Sequence, residues 1–112
     1  MSLTRLLPHH KLHAFDVAMK LLAAVREARI RDAHLRDQAM RAAKSACLNC
    51  SEGAGRVSRA DKARAFTIAR GEACEAAAVE IAVAAGDAEA RSLAAVVEHA
   101  DRFVAMMTAL IR

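Results

Sequence analysis

The sequence lacks Trp and Tyr and has only three Phe, so aliphatic side chains and alanines must fill any core. A single Pro and four Gly leave too few turn residues for the many short strands of a sandwich or barrel. Alanine, with 29 copies in 112 residues, is the best helix former and is depleted in strands. The composition therefore excludes an all-β fold and predicts an all-α domain spanning residues 1–112.

Long apolar runs are also absent. The longest charge-free run near the end, residues 103–111, is far short of the ~20 residues that cross a bilayer, and residues 1–12 hold no apolar stretch of signal-peptide length. Three cysteines are an odd number and indicate a reducing compartment rather than a disulfide framework. We therefore expect a soluble, cytoplasmic protein with no membrane partner.

Two regions of opposite sign lie behind the net charge of +4. Residues 26–70 carry eleven Lys or Arg against five Asp or Glu, a local charge of +6, whereas residues 71–101 carry one Arg against seven acids, a local charge of −6. Such a chain can attract a polyanion through the first region, or pair with copies of itself by joining the two. Ordinary solvated helix faces are the alternative.

Apolar residues recur at helical spacing in four segments. The segments span residues 9–30, 32–55, 58–85 and 87–111. Asp32 and Ser58 are suited to N-caps, while Gly86 is suited to a helix stop. Four helices joined by short loops predict an antiparallel up-down-up-down four-helix bundle, preceded by a flexible lead over residues 1–10.

The third segment is apolar over an unusually wide arc. Ile68, Val79 and Val83 fall well away from its main stripe, and Leu48 projects from the outer side of the second helix. An arc this wide is usual for a helix buried on two sides. In so small a domain the second side predicts a homo-oligomer with these four residues in its interface, the alternative being broad contacts within one chain.

Residues 38–56 read QAMRAAKSACLNCSEGAGR. This stretch resembles the signature of the bacterial four-helix-bundle proteins encoded in intervening sequences of large-subunit ribosomal RNA genes, roughly Q-L-R-R-A-A-x-S-I-x-x-N-I-A-E-G-x-x-R. In that family a serine-started helix containing I-A-x-G-S-x-x-E follows. The matching positions are Gln38, Arg41, Ala42, Ala43, Ser45, Asn49, Glu52, Gly53 and Arg56, then Ser58, Ile68, Ala69, Gly71 and Glu75. The departures are Phe15, Ala46, Cys50, Ser51 and Glu72.

The resemblance implies an antiparallel bundle that assembles into a pentameric ring and has no recognised enzymatic activity. A relative in this family is the accessory protein of diversity-generating retroelements, a basic pentamer that works with a reverse transcriptase and nucleic acid. The expectation for this chain is therefore a non-enzymatic oligomeric bundle.

Asn49, Glu52 and Arg56 lie near the end of the second helix, where backbone carbonyls lose their partners. Gly53 or Gly55 can turn the chain there in the left-handed region. Arg56 is then placed to pair with Glu52 or with those carbonyls. These residues predict a structural clasp, with a ligand site as the alternative.

Residues suited to catalysis or metal binding do not form a complete set. Cys47 and Cys50 form a CxxC, but it lies in a helical pattern and lacks a fourth zinc ligand, so both are expected to be small buried hydrophobes. His9 and His13 share a helical face, which we expect to be a solvated helix start, with adventitious metal binding as the alternative. We expect no enzyme, no metal and no cofactor.

Two functions remain compatible with this pattern. The first is a nucleic-acid-associated module that contacts phosphates of RNA or DNA from the second helix and the start of the third. Its candidate residues are Arg36, Arg41, Lys44, Arg56, Arg59, Lys62 and Arg64. The second is a protein-interaction scaffold that presents the same surface to a partner protein. With few aromatics to stack bases, nucleic-acid binding would be directed at the backbone and tolerant of sequence.

Overall fold

A computed structural model describes residues 6–112 of the chain. Its helices are α1 (His13–Glu27), α2 (Ala33–Gly55), α3 (Arg59–Cys74), α4 (Ala77–Ala84) and α5 (Leu93–Ile111). No strand occurs in this part of the chain, and none of its helices has the length and apolar character needed to cross a membrane. The predicted all-α fold is confirmed.

Four long helices surround one core. Helix α1 packs against α2 and α5, and α3 packs against the same two helices, so the order α1, α2, α3, α5 runs around the bundle. The largest side chains at its centre, all fully buried, are Val17, Leu21, Val79, Val96, Phe103 and Met107. This arrangement is the predicted four-helix bundle with neighbouring helices antiparallel.

Helix α1 begins later than the periodicity predicts. Pro8–Lys11 forms a separate 3-10 turn that packs against α2, and α1 starts at His13. The predicted flexible lead therefore contains a short ordered turn, and its first five residues lie outside the described part of the chain. Helix α2 begins as expected, because the Asp32 carboxylate accepts a hydrogen bond of 2.8 Å from the Leu35 amide.

The third predicted segment is two helices rather than one. Between α3 and α4 the amides of Glu75 and Ala76 bond to carbonyls three residues back, at 3.1 and 3.0 Å. This is 3-10 geometry, in which residues three apart eclipse each other instead of drifting round the helix. As a result the residues spaced by three, Ala73, Ala76, Val79 and Ala82, are all buried.

That break overturns the expectation that Val79 lies away from the buried stripe. A continuous helix would place Ala77 and Ile81 in the apolar stripe and Val79 outside it. The structure does the reverse, since Val79 has 0% exposure and Ile81 has 57%. The prediction that Val79 belongs to an outward interface is therefore wrong, because the 3-10 turn rotates it into the core of its own chain.

The fourth predicted segment also begins later than expected. Gly86 ends α4 with a φ of 82°, as predicted for a helix stop, but Asp87 does not cap α5. Its amide instead donates to the Ala82 carbonyl at 2.7 Å, and its carbonyl accepts from the Arg31 amide at 2.8 Å. A 3-10 turn, Ala90–Ser92, then leads into α5.

Candidate nucleic-acid interface

The turn between α2 and α3 depends on a close contact between the two helices. A Cβ added at Gly53 would lie 2.5 Å from Phe66 Cε1, which is shorter than real contacts allow. Helix α2 continues through Gly53 and ends at Gly55. Gly86 is the glycine with positive φ among the described residues, so the prediction of a left-handed turn at Gly53 or Gly55 is wrong. Gly53 serves close helix packing instead.

Lys62 contacts the carbonyls at the end of α2, a role predicted for Arg56. The Lys62 ammonium donates to the Gly53 and Ala54 carbonyls at 3.4 and 3.0 Å. Arg56 contributes its backbone amide, which donates to the Glu52 carbonyl at 3.1 Å. Within residues 6–112 its guanidinium has no ion pair within 4 Å. The predicted Arg56 clasp is therefore wrong in its cation, because Lys62 reaches back across the turn from α3.

The three predicted clasp residues meet in a polar groove between α2 and α3. Asn49, Glu52 and Arg56 line it from α2, and Asp61 and Arg64 line it from α3. Its volume is about 210 Å³. Asn49 is held by hydrogen bonds of 2.9 and 3.1 Å to the carbonyl and hydroxyl of its neighbour one turn earlier. The four charged side chains of the groove are exposed and form no ion pair with one another.

Two of the seven basic candidates are engaged by carboxylates. The Arg36 guanidinium lies 3.8 Å from the Asp37 carboxylate. Arg41 bridges α2 and α3, with its guanidinium 3.9 Å from Glu72 and 3.5 Å from Glu75. These exposed pairs are weak, but they lower the local positive charge. Arg36 and Arg41 are therefore poorer phosphate ligands than the sequence alone indicates.

Four of the remaining candidates lie together where α2 meets α3. Arg56, Arg59, Lys62 and Arg64 fall within nine residues, and we call this cluster the basic turn. The three arginines are exposed and have no ion pair within 4 Å in the described chain. Lys44 is also exposed and has no ion pair within the described residues. It lies about three turns before the end of α2, on the side that faces α1. Among the seven candidates, the free arginines are therefore concentrated at one turn.

The fold adds a residue that the sequence pattern did not single out. Because the helices alternate in direction, the segment before α1 lies at the same end of the bundle as the basic turn. The 3-10 turn Pro8–Lys11 packs against α2, and Lys11 on it is exposed. Only the bundle topology brings Lys11 to this end, since nearly fifty residues separate it from the basic turn.

The other interface candidates are distributed over two grooves. Leu48 is 59% exposed and lies beside Phe15, while Ile68 is 47% exposed and lines the polar groove. Val83 is half-buried against the core. Both residues are therefore available to a second chain. Leu48 lies in the groove between α1 and α2, and Ile68 lies in the groove between α2 and α3.

The two thiols of the CxxC are buried and unreactive at neutral pH. Cys47 and Cys50 are buried, as small apolar residues of the core. Burial raises the pKa of the Cys47 thiol to about 11 and that of the Cys50 thiol to about 12, from an ordinary value of 9.0. A thiol that stays protonated at neutral pH is a poor nucleophile and metal ligand.

The histidines near α1 take separate partners. The His9 ring packs edge-on against Phe15, with ring centroids 4.5 Å apart. His13 Nε2 lies 3.2 Å from the Arg102 guanidinium and its Nδ1 lies 3.9 Å from the Asp16 carboxylate. A neighbouring cation disfavours metal binding at His13. Among residues 6–112, no group of three or more His, Cys, Asp or Glu side chains is arranged to hold a metal ion.

Comparison with known proteins bears on the fold and the signature residues together. No well-characterised protein sequence matches this chain. The family model described as 23S rRNA-intervening sequence protein matches residues 10–109. That match includes all five helices apart from the last residues of α5, and it includes the basic turn. The chain therefore belongs to the 23S rRNA-intervening sequence protein family.

Proposed function

We propose that this protein is a non-enzymatic accessory module that binds the phosphate backbone of RNA or DNA through the basic turn. The observation that carries the proposal is the grouping of Arg56, Arg59 and Arg64. All three are exposed and lack ion pairs within the described chain. A guanidinium presents a planar set of donors that matches two oxygens of a phosphate.

The same surface lacks the groups that read bases. Phe66 and Phe103 are buried, and Phe15 is half-buried between α1 and α2. Sequence-tolerant single-strand binding usually relies on exposed aromatic rings for stacking, and none is offered by the described residues. Contacts to phosphate alone fix position without discriminating sequence. The proposed binding is therefore electrostatic, sensitive to salt and tolerant of sequence.

We further propose that several copies act together in a homo-oligomer, with a pentameric ring as the state that the family resemblance implies. Glu52 and Asp61 lie in the groove beside Arg56 and Arg64, so the four cations of the basic turn leave a net charge of only +2 in one chain. Repetition of the basic turn raises the effective concentration of cations around one strand. Of the four predicted interface residues, Leu48 and Ile68 are the exposed ones and are proposed to contact the neighbouring chain. Light scattering after gel filtration tests this, and a 12 kDa species at micromolar concentration would contradict it.

The binding test replaces Arg56, Arg59 and Arg64 together with Gln. The matched control replaces Arg26, Arg29 and Arg91, three exposed arginines that have no ion pair in the described chain and lie at the other end of the bundle. Fluorescence anisotropy with labelled single-stranded RNA and DNA, at low salt, gives the affinities. We expect the first variant to bind at least tenfold more weakly than wild type and the control to stay within threefold. Absence of wild-type binding, or equal losses in both variants, would reject the proposal.

A protein-interaction scaffold is the second candidate function. The observation that favours it is the mixed charge of the polar groove, where two carboxylates alternate with two guanidinium groups. A polypeptide can match both signs, whereas a nucleic acid matches only one. Co-purification of a stoichiometric polypeptide with wild type, lost in Glu52→Gln and Asp61→Asn variants, would favour the scaffold.

A further inference from the structure

A second concave site lies on the other side of α3, where α3 gives way to α4. The cleft between this junction and α5 has a volume of about 340 Å³, and we call it the α4–α5 cleft. Nine of its eleven lining residues are apolar, among them Ala76 and Ala77 on one wall and Val97 and Ala100 on the other. None of the basic candidates lines it. The cleft is therefore chemically unlike the basic turn.

The helix break accounts for the cleft. The 3-10 turn at residues 75–76 rotates Val79 into the core, so α4 packs against α2 as well as α5. Small alanines line the cleft at the α3–α4 junction, and apolar side chains in the cleft stay open to solvent. Val97 in the cleft is 50% exposed, and Leu93 and Ala100 beside it are half-buried. Exposed apolar residues grouped around a concave site are typical of a docking surface.

Each wall of the cleft carries one carboxylate. Glu80 belongs to α4 and Asp101 to α5, and both line the cleft. Neither has an ion pair within 4 Å in the described part of the chain, and both are exposed. They lie in the region of residues 71–101 that carries a local charge of −6. An apolar floor between two free carboxylates complements a ligand that is apolar on one side and cationic on its flanks.

We propose that the α4–α5 cleft is a docking site for a short cationic amphipathic helix from another polypeptide. The lining residues of α5 run from Leu93 to Val104, a rise of about 16 Å, which is three helical turns. A helix of that length places apolar anchors one turn apart along the cleft floor. Lysine or arginine at its flanks then reaches Glu80 on one side and Asp101 on the other. The site uses no residue of the basic turn, so the two proposals stand independently.

Cys74 provides a reporter inside the cleft. Its side chain is exposed and lines the cleft, whereas Cys47 and Cys50 are buried with raised pKa values. Iodoacetamide at pH 8 should therefore modify Cys74 selectively in the folded protein. A helix seated in the cleft covers this thiol, so the rate of alkylation, followed by mass spectrometry, measures occupancy at this place.

The probe is a 14-residue synthetic peptide with leucines at i, i+3, i+4, i+7 and i+11 and lysines at the flanking positions. Its control has glutamates in place of the lysines. We expect the lysine peptide to slow Cys74 alkylation at least fivefold and the glutamate peptide to leave it within twofold. The Glu80→Gln/Asp101→Asn variant and Ala77→Lys, which adds a cation to the cleft wall, should lose that protection. Glu27→Gln/Glu98→Gln, with the same change of charge outside the cleft, should keep it.

Several outcomes would overturn the proposal. Equal protection by both peptides would mean apolar adhesion without charge recognition. Equal loss in the Glu27→Gln/Glu98→Gln variant would mean attraction by net charge and not by the cleft. Slow alkylation without peptide that becomes fast on dilution to a monomer would mean that a second copy of the chain covers the cleft. Thermal unfolding of each variant, followed by circular dichroism, confirms that the comparison is made between folded proteins.

Discussion

The two connections of α3 are built by different means. At its start, Ser58 accepts a hydrogen bond of 3.1 Å from the Asp61 amide, and Gly53 lets Phe66 approach α2 closely. At its end no side-chain cap occurs within the described chain, and backbone bonds to residues three back rotate the helix instead. The start of α3 depends on local residue types, a capping serine and a small glycine. Its end depends on which side chains must be buried in the core. The comparison explains why the cap that starts α3 was predictable and the break that ends it was not.

The largest expected effect tests the rotation at the second connection. Val79→Asp buries a charge without a partner, and we expect a loss of several kcal/mol in the free energy of unfolding, enough to unfold so small a domain. Ile81→Asp, on the exposed side of the same helix, should change that free energy by less than about 0.5 kcal/mol. Chemical denaturation of both variants measures the difference. The reverse ranking would mean that α3 and α4 form one regular helix.

The first connection gives the next effect. Gly53→Ala forces a methyl group against the Phe66 ring, and we expect a loss of about 1–3 kcal/mol through overpacking. Gly55→Ala meets nothing within 4 Å and should be neutral or stabilising by up to about 1 kcal/mol, because alanine favours helix. Urea unfolding of the two variants compares them directly. Similar stabilities would show that the α2–α3 contact is looser than described.

The same contrast between the two connections of α3 explains which parts of the molecule could be predicted from the sequence. The Asp32 and Ser58 caps and the stop at Gly86 are local signals, and all three predictions are confirmed. The break at residues 75–76 lies in a run of strong helix formers, so no propensity marks it. It arises because Ala73, Ala76 and Val79 must all face the core, which only the packed bundle determines. The sequence also predicted that Arg56 would contact the carbonyls at the end of α2. Lys62 makes these contacts instead, because the turn directs α3 back across the end of α2.

The buried thiols of α2 predict a dependence of stability on pH. Because burial raises their pKa values to about 11 and about 12, the folded state holds its thiol protons more tightly than the unfolded state. Their contribution is fully present below the ordinary pKa of 9.0 and is lost as pH rises through 11 to 12. From pH 8 to pH 10 we expect the free energy of unfolding to fall by roughly 2 kcal/mol more in wild type than in a Cys47→Ala/Cys50→Ala variant, in which these two titrations are removed. Parallel curves for the two proteins would contradict this account.

The smallest effect compares the two predicted helix starts. Ser58→Ala removes a cap that is present and should lower the free energy of unfolding by about 1 kcal/mol. Asp87→Ala removes a side chain that caps no helix in the described chain, and we expect a change below about 0.5 kcal/mol. Thermal unfolding at fixed concentration and pH measures both. A larger loss at Asp87 would place the start of α5 nearer the predicted position.

The central claim is that free arginines at the basic turn bind phosphates, and the salt dependence of RNA affinity tests it most directly. For a single strand, each phosphate contact contributes about 0.7 to the slope of log Kobs against log salt concentration. If Arg56, Arg59 and Arg64 each contact one phosphate, replacing all three with Gln should make the slope per chain shallower by about 2, whereas the Arg26, Arg29 and Arg91 control should leave it unchanged. A slope that is the same in wild type and in the basic-turn variant would contradict the claim.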